Sequence, residues 1–170
     1  MRMTEFNGLP LPPYLDVCCG GEMFYIEKAD VRVLKMDIRE VDTNLCSDGR
    51  RFTVKPDVIG DFRNMPFEDE SFYGVFFDPP HLLGAGKTGF QAIKYGTLDR
   101  QSWKEDLRKG FAECFRVLKP HGFLAFKWNE TKIPLKKILS LTTEKALIGN
   151  MRPNLTKTHW LLFTKQPGEF

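Results

Sequence analysis

The sequence predicts an α/β fold built on a mostly parallel sheet, with helices on both faces and an antiparallel hairpin at its C-terminal edge. Three observations carry this. Short apolar, β-rich runs alternate with longer stretches of helical character, as in a succession of strand–helix–strand units. The run Gly74–Asp78 is almost wholly apolar and closes on a carboxylate, as a buried parallel strand does when its tip opens into a site. Two late apolar segments, Lys145–Ile148 and His159–Phe163, are joined by a polar connection holding Pro153, too short for anything but an antiparallel pair.

In chain order, the Pro-rich entry Leu9–Pro13 leads into a first strand, Tyr14–Cys18, and a turn at Gly20 and Gly21. Met23–Ile26 reads as a short helix, Val31–Asp37 as strand two, and Pro56–Asp61 as a short strand three. The polar stretch Asp42–Arg51 reads as loop, and Gly74–Asp78 as strand four. His81 to Tyr95, rich in Gly and Ala, is too loose in pattern for a helix and long for a passive connector, so it reads as a substrate-side loop. From Asp99 to Leu118, Trp103, Leu107, Phe111, Cys114, Phe115 and Leu118 recur at helical spacing and form one apolar face. The turn Lys119–Gly122 ends that helix and Phe123–Trp128 makes strand five, followed by a further helix from Pro134 to Leu141.

With 170 residues, residues 1–170 read as one domain, without room for a separate target-recognition domain. No apolar run approaches the ~20 residues of a membrane span, and the first residues lack the core of a signal peptide, so a cytoplasmic protein without membrane attachment is expected. The four cysteines form no C-x-x-C pair, which argues against a disulfide framework and against a metal site. Residues 1–103 hold 12 Lys and Arg against 16 Asp and Glu, whereas residues 104–170 hold 13 against 6. That basic C-terminal third suits a nucleic-acid backbone, or is simply a set of solvated helix faces.

Two constellations carry chemistry. Leu15–Gly21 is an apolar strand running into a glycine turn, where backbone can approach a nucleotide closely. Asp37, 21 positions beyond Asp16 at the end of strand two, is placed to accept ribose hydroxyls. The second is Asp78-Pro79-Pro80-His81 at the tip of strand four. An exocyclic amine is a poor nucleophile because its lone pair is delocalised into the ring. A carboxylate and a backbone carbonyl that accept its N–H groups aim that lone pair, and two prolines hold the carbonyl in place. His81 can stack on a base or act as a base itself near neutral pH.

Together with Gly60-Asp61-Phe62-Arg63-Asn64-Met65-Pro66-Phe67-Glu68-Asp69-Glu70-Ser71-Phe72 before strand four and Arg116-Val117-Leu118-Lys119-Pro120-His121-Gly122 before strand five, these motifs give the chain its resemblance to the class I S-adenosylmethionine (SAM)-dependent methyltransferases, with their Rossmann-like sheet. More narrowly it resembles small methyltransferase-like proteins of phages and prophages, which share the D-V-C-C-G start and the F-D-P-P-H tip. The resemblance implies that Asp16, Cys18, Gly20 and Gly21 line the methionine end of SAM, that Asp37 holds its ribose, and that Asp61 and Phe62 flank its adenine. It implies a catalytic Asp78, Pro79, Pro80 and His81, with Lys87 and Tyr95 of the loop near phosphate or base. The implied activity is N-methylation of a nucleobase amine, adenine N6 in DNA foremost. Such enzymes usually carry Tyr, Phe or Trp where this chain has His81, which keeps RNA, protein and small-molecule amines open, as well as a SAM-binding interaction protein without transfer activity.

Overall fold

The computed structural model describes residues 2–23, 25–44, 51–84, 90–150 and 156–167. It opens with a hairpin, β1 (Glu5–Phe6) and β2 (Leu9–Pro10), turned by Asn7 at φ 52° and Gly8 at φ 74°. Those are the two positive φ angles that a two-residue turn between right-twisted strands demands, and Asn-Gly supplies them at least cost. Next come β3 (Tyr14–Asp16), β4 (Val33–Asp37), β5 (Val41–Asn44), β6 (Arg51–Val54), β7 (Val58–Ile59) and β8 (Phe72–Phe77). Helices α1 (Phe90–Tyr95) and α2 (Trp103–Val117) lead to β9 (Leu118–Asn129), and α3 (Leu135–Leu139) to β10 (Ile148–Gly149) and β11 (Thr158–Thr164).

The central seven-stranded sheet runs β10, β11, β9, β8, β3, β4, β7. Neighbours from β9 to β7 are parallel, and β11 lies antiparallel to both β9 and β10. This is the expected Rossmann-like sheet with its antiparallel C-terminal edge and flanking helices. Register puts Leu15 beside Leu34 and Val75, and Val75 beside Leu124, so one face is a continuous apolar layer. Helix α2 lays Leu107, Phe111, Cys114 and Val117, all at most 1% exposed, onto that layer. Phe111 packs against Phe77, Phe126 and Phe163 at ring separations of 4.9–6.3 Å. The other face carries Tyr14, Phe76 and Phe123 as a looser ring cluster.

Four expectations are corrected. No helix occurs at Met23–Ile26 among the described residues, where Phe24 is not described. Glu22 sits at φ 56°, which a right-handed helix does not pass through, and Tyr25 is anchored to Asp16 rather than to a helical face. The supposed loop Asp42–Arg51 holds two strand ends: Val41 pairs with Val54 and Asn44 with Arg51, and Asp42 ion-pairs with Arg51 across the ladder. Its polarity at either end marks solvated antiparallel strands, and residues 45–50 lie outside the described residues. The loop His81–Tyr95 ends in α1, with Ala92 buried. The stretch Lys119–Gly122, expected as a turn, belongs to β9, with His121 at φ 64° where the pairing with β8 shifts register. The loop around Pro153 lies outside the described residues.

Candidate functional site

The tips of β3 and β8 are side by side: Asp16 is in register with Phe76, and Val17 donates from its backbone N–H to Phe76 O at 3.0 Å. A crevice therefore opens beyond them at the carboxyl end of the sheet, where such folds bind ligands. It measures about 610 Å³ and is bounded by Cys18, Gly20, Gly21, Asp37, Asp61 and Phe62 on one side and by Asp78, Pro79, Pro80, His81 and Tyr95 on the other. These are the residues that the motifs singled out, and one cavity holds both sets. Lys87 lies outside the described residues.

Asp16 is the exception, because it is fully buried behind the turn rather than at the cavity wall. Its carboxylate accepts from Tyr25 Oη at 2.8 Å and from the Cys18 amide at 3.2 Å. Burial pushes its pKa up to about 7; the two donors oppose the shift, and the negative charges of Asp78 and Asp37 add to it. Asp16 therefore shapes the turn from beneath. Gly21 closes over the β5–β6 hairpin, since a Cβ there would stand 2.7 Å from the Phe52 ring.

Asp37 faces the cavity with its carboxylate fully engaged. Oδ2 accepts from the Gly20 amide at 3.0 Å and from Arg39 Nη2 at 3.4 Å, and Oδ1 accepts from the Arg39 amide at 3.0 Å and Arg39 Nε at 3.1 Å. Asp61 is gripped by the Arg63 guanidinium at 2.6–3.0 Å, which holds its carboxyl below the usual range, and Arg63 also reaches Asp106 on α2. Phe62 lines the cavity while its ring rests on Phe77, 5.5 Å between centroids.

On the acceptor side, Lys127 Nζ lies 2.5 Å from Asp78 Oδ2. Burial raises the Asp78 pKa, and the ammonium opposes that by favouring the ionised form. Burial lowers the pKa of His81, against the pull of Asp78, so its imidazole is neutral at physiological pH. The His81 and Tyr95 rings lie 5.5 Å apart at 50°, and a Cβ on Gly96, just past α1, would come within 3.0 Å of Pro80. Helix α1 thus leans directly on the Pro-Pro turn.

Lys127 and Arg39 were not found from sequence. A trace of Lys127 was present, because a lysine inside the apolar run Phe123–Trp128 needs a counter-ion at a strand tip. Arg39 left only its place two residues beyond Asp37, because its second partner depends on the three-dimensional position of α1.

No protein-family model matches the chain, and no curated protein does. Solved structures match its fold. A protein from Pyrococcus horikoshii OT3 superposes with a TM-score of 0.58 at 16% identity, over 90% of this chain and 81% of that one. A SAM-dependent methyltransferase from Methanosarcina mazei gives 0.51 at 13% identity, over 94% and 95%. The N-methyltransferase NodS from Bradyrhizobium japonicum WM9 gives 0.51 at 10% identity, over 92% and 86%. The chain has the Rossmann-like fold of class I methyltransferases; at these identities the likeness speaks for the fold alone.

Proposed function

We propose that this chain is a SAM-dependent methyltransferase acting on a neutral amino group, with adenine N6 in DNA as the favoured acceptor. The observation that carries the reading is the single crevice in which the glycine turn after β3 faces Asp78-Pro79-Pro80-His81. Its lining suits the cofactor: Asp37, Asp61 and Asp78 offer hydrogen-bond acceptors to a cavity of about 610 Å³, a size suited to a nucleoside, each carboxylate being paired with Arg39, Arg63 or Lys127. When bound, SAM supplies an activated methyl group on a sulfonium, so no further leaving-group activation is required.

In this reading Asp37 binds the ribose, Asp61 and Phe62 border the adenine, and Cys18, Gly20 and Gly21 border the methionine portion. Asp78 and the carbonyl of Pro79 accept the N–H groups of the acceptor and orient its lone pair. Lys127 occupies Asp78 Oδ2 and so leaves Oδ1 for the acceptor. A neutral imidazole at His81 lines the same cavity and can take up the proton released by the newly methylated nitrogen. Lys127 also supports the choice of acceptor, since its ammonium already neutralises the Asp78 carboxylate, which then holds a protonated aliphatic amine only weakly and still accepts from a conjugated, uncharged one.

The test is transfer from labelled SAM to phage DNA, total RNA and small amines. Label is expected in nucleic acid, and Asp78→Ala is expected to lower the transfer rate by roughly 100-fold or more. Label only in small amines would move the acceptor away from nucleobases. Binding of SAM without transfer to anything would leave a cofactor-binding protein in place of an enzyme.

A further inference from the structure

We propose that Arg39 is a positioning residue that ties cofactor binding to the acceptor side, and that the cofactor ribose must displace it from Asp37 before helix α1 can move off the Pro79-Pro80 turn. The inference rests on the reading of Asp37 as the ribose carboxylate.

A carboxylate has about four lone-pair positions. At Asp37 all four are engaged, two by the backbone amides of Gly20 and Arg39 and two by the Arg39 guanidinium. Ribose hydroxyls donate two more hydrogen bonds, so two present donors must leave. The amides are fixed by the chain path, whereas the guanidinium sits on a flexible stem and makes the longer contacts, 3.1 and 3.4 Å against 3.0 and 3.0 Å. Arg39 is the group that yields.

Its other end determines the consequence. Arg39 Nη1 donates to the Ile93 carbonyl of α1 at 3.0 Å, and a Cβ on Gly96 would lie 3.5 Å from the same guanidinium and 3.0 Å from Pro80. Tyr95, in the last turn of α1, packs on His81. One side chain therefore fastens α1 to the ribose carboxylate while α1 covers the acceptor turn. Displacing the guanidinium removes that fastening, so the cofactor binds first and acceptor access follows.

The experiment pairs calorimetric titration of S-adenosylhomocysteine with hydrogen exchange of the amides from Lys94 to Gly96, the last donating to Ala92 O at 2.9 Å. In the wild type, added S-adenosylhomocysteine should speed exchange at these amides while slowing it around Gly20. In Arg39→Ala the same amides should exchange fast without ligand and respond no further, and affinity should rise about three- to tenfold as the competing donor is gone. Arg39→Gln, which keeps a donor for Ile93 O but no charge for Asp37, should bind the ligand more tightly and retain more α1 protection than Ala. A merely structural arginine would give the opposite sign, weaker binding on removal. Tight binding to the wild type with unchanged α1 exchange, or unchanged or weaker binding to Arg39→Ala, would overturn the inference alone. No binding to any of the three proteins would remove the cofactor reading and this inference with it.

Discussion

Asp16 shows how a single carboxyl can be informative without touching a ligand. It is buried, and its pKa of about 7 exceeds the 3.8 of an unfolded aspartate, so between those values the folded state holds a proton that the unfolded state has lost. Stability from this group is therefore fully present below about pH 4 and is lost as pH rises through about 7. Asp78, also raised, acts in the same direction, whereas His81, lowered, acts in the opposite one. Only the difference between wild type and Asp16→Asn isolates the effect. Urea unfolding at pH 5 and pH 8 should show the wild type losing on the order of a few kcal/mol more than the variant across that interval. Equal pH slopes for the two proteins would mean that Asp16 is ionised and solvated in the fold, and the picture of a carboxyl sealed beneath the glycine turn would fail.

Helix α2 is the element on which both halves of the site lean. Gly110, in the middle of its buried face, lets the backbone come down onto Phe62 and Phe77, whose rings a Cβ would meet at 2.8 Å each. Those rings precede or follow site residues directly, since Phe62 adjoins Asp61 and Phe77 adjoins Asp78. Replacing Gly110 with Ala gains up to about 1 kcal/mol of helix propensity but forces two packed aromatic rings to shift, at a cost of about 1–3 kcal/mol. Packing wins: Gly110→Ala should lower unfolding stability by about 1–2 kcal/mol and weaken S-adenosylhomocysteine binding together with it. Higher stability in the variant would show that the helix has slack to move. This helix was the most legible element of the sequence, because fifteen residues of 3.6-period pattern are hard to mistake. The sheet strands and the acids at their tips were legible for the same reason, as each is a local pattern. Short elements were not. The β1–β2 hairpin announced itself only by Asn7-Gly8, and in β5 and β6 the alternation is only four residues long, Phe52 and Val54 turning inward in alternation with the exposed Arg51 and Thr53. The same limit applies to the site. Asp37, Asp61 and Asp78 were readable as strand-end acids, and Arg39 and Arg63 follow Asp37 and Asp61 by two residues, but the pairing of Lys127 with Asp78 and the second contacts of Arg39 with Ile93 and of Arg63 with Asp106 are fixed by which strands and helices become neighbours.

At the scale of the whole molecule, the excess of 13 Lys and Arg over 6 Asp and Glu beyond residue 103 acquires a location. Lys127 and Lys132 line the crevice, and Lys136 and Lys137 are exposed residues of α3, which follows Lys132 in the chain. No described helix is long and apolar enough to cross a membrane. For the nucleic-acid acceptor proposed above, these lysines are the candidates to hold its phosphates. Each lysine that neutralises a phosphate contributes roughly 0.9 to the slope of log affinity against log salt for duplex DNA. The triple variant Lys132→Ala, Lys136→Ala, Lys137→Ala should therefore bind DNA with a slope shallower by roughly 2 to 3, while S-adenosylhomocysteine affinity, set by the opposite side of the cavity, stays as in the wild type. Fluorescence anisotropy with a short labelled duplex at several salt concentrations reads the slope directly. An unchanged slope in a variant that still binds S-adenosylhomocysteine would make these lysines ordinary solvated side chains. The cations that hold the phosphates would then have to be sought elsewhere on the molecule.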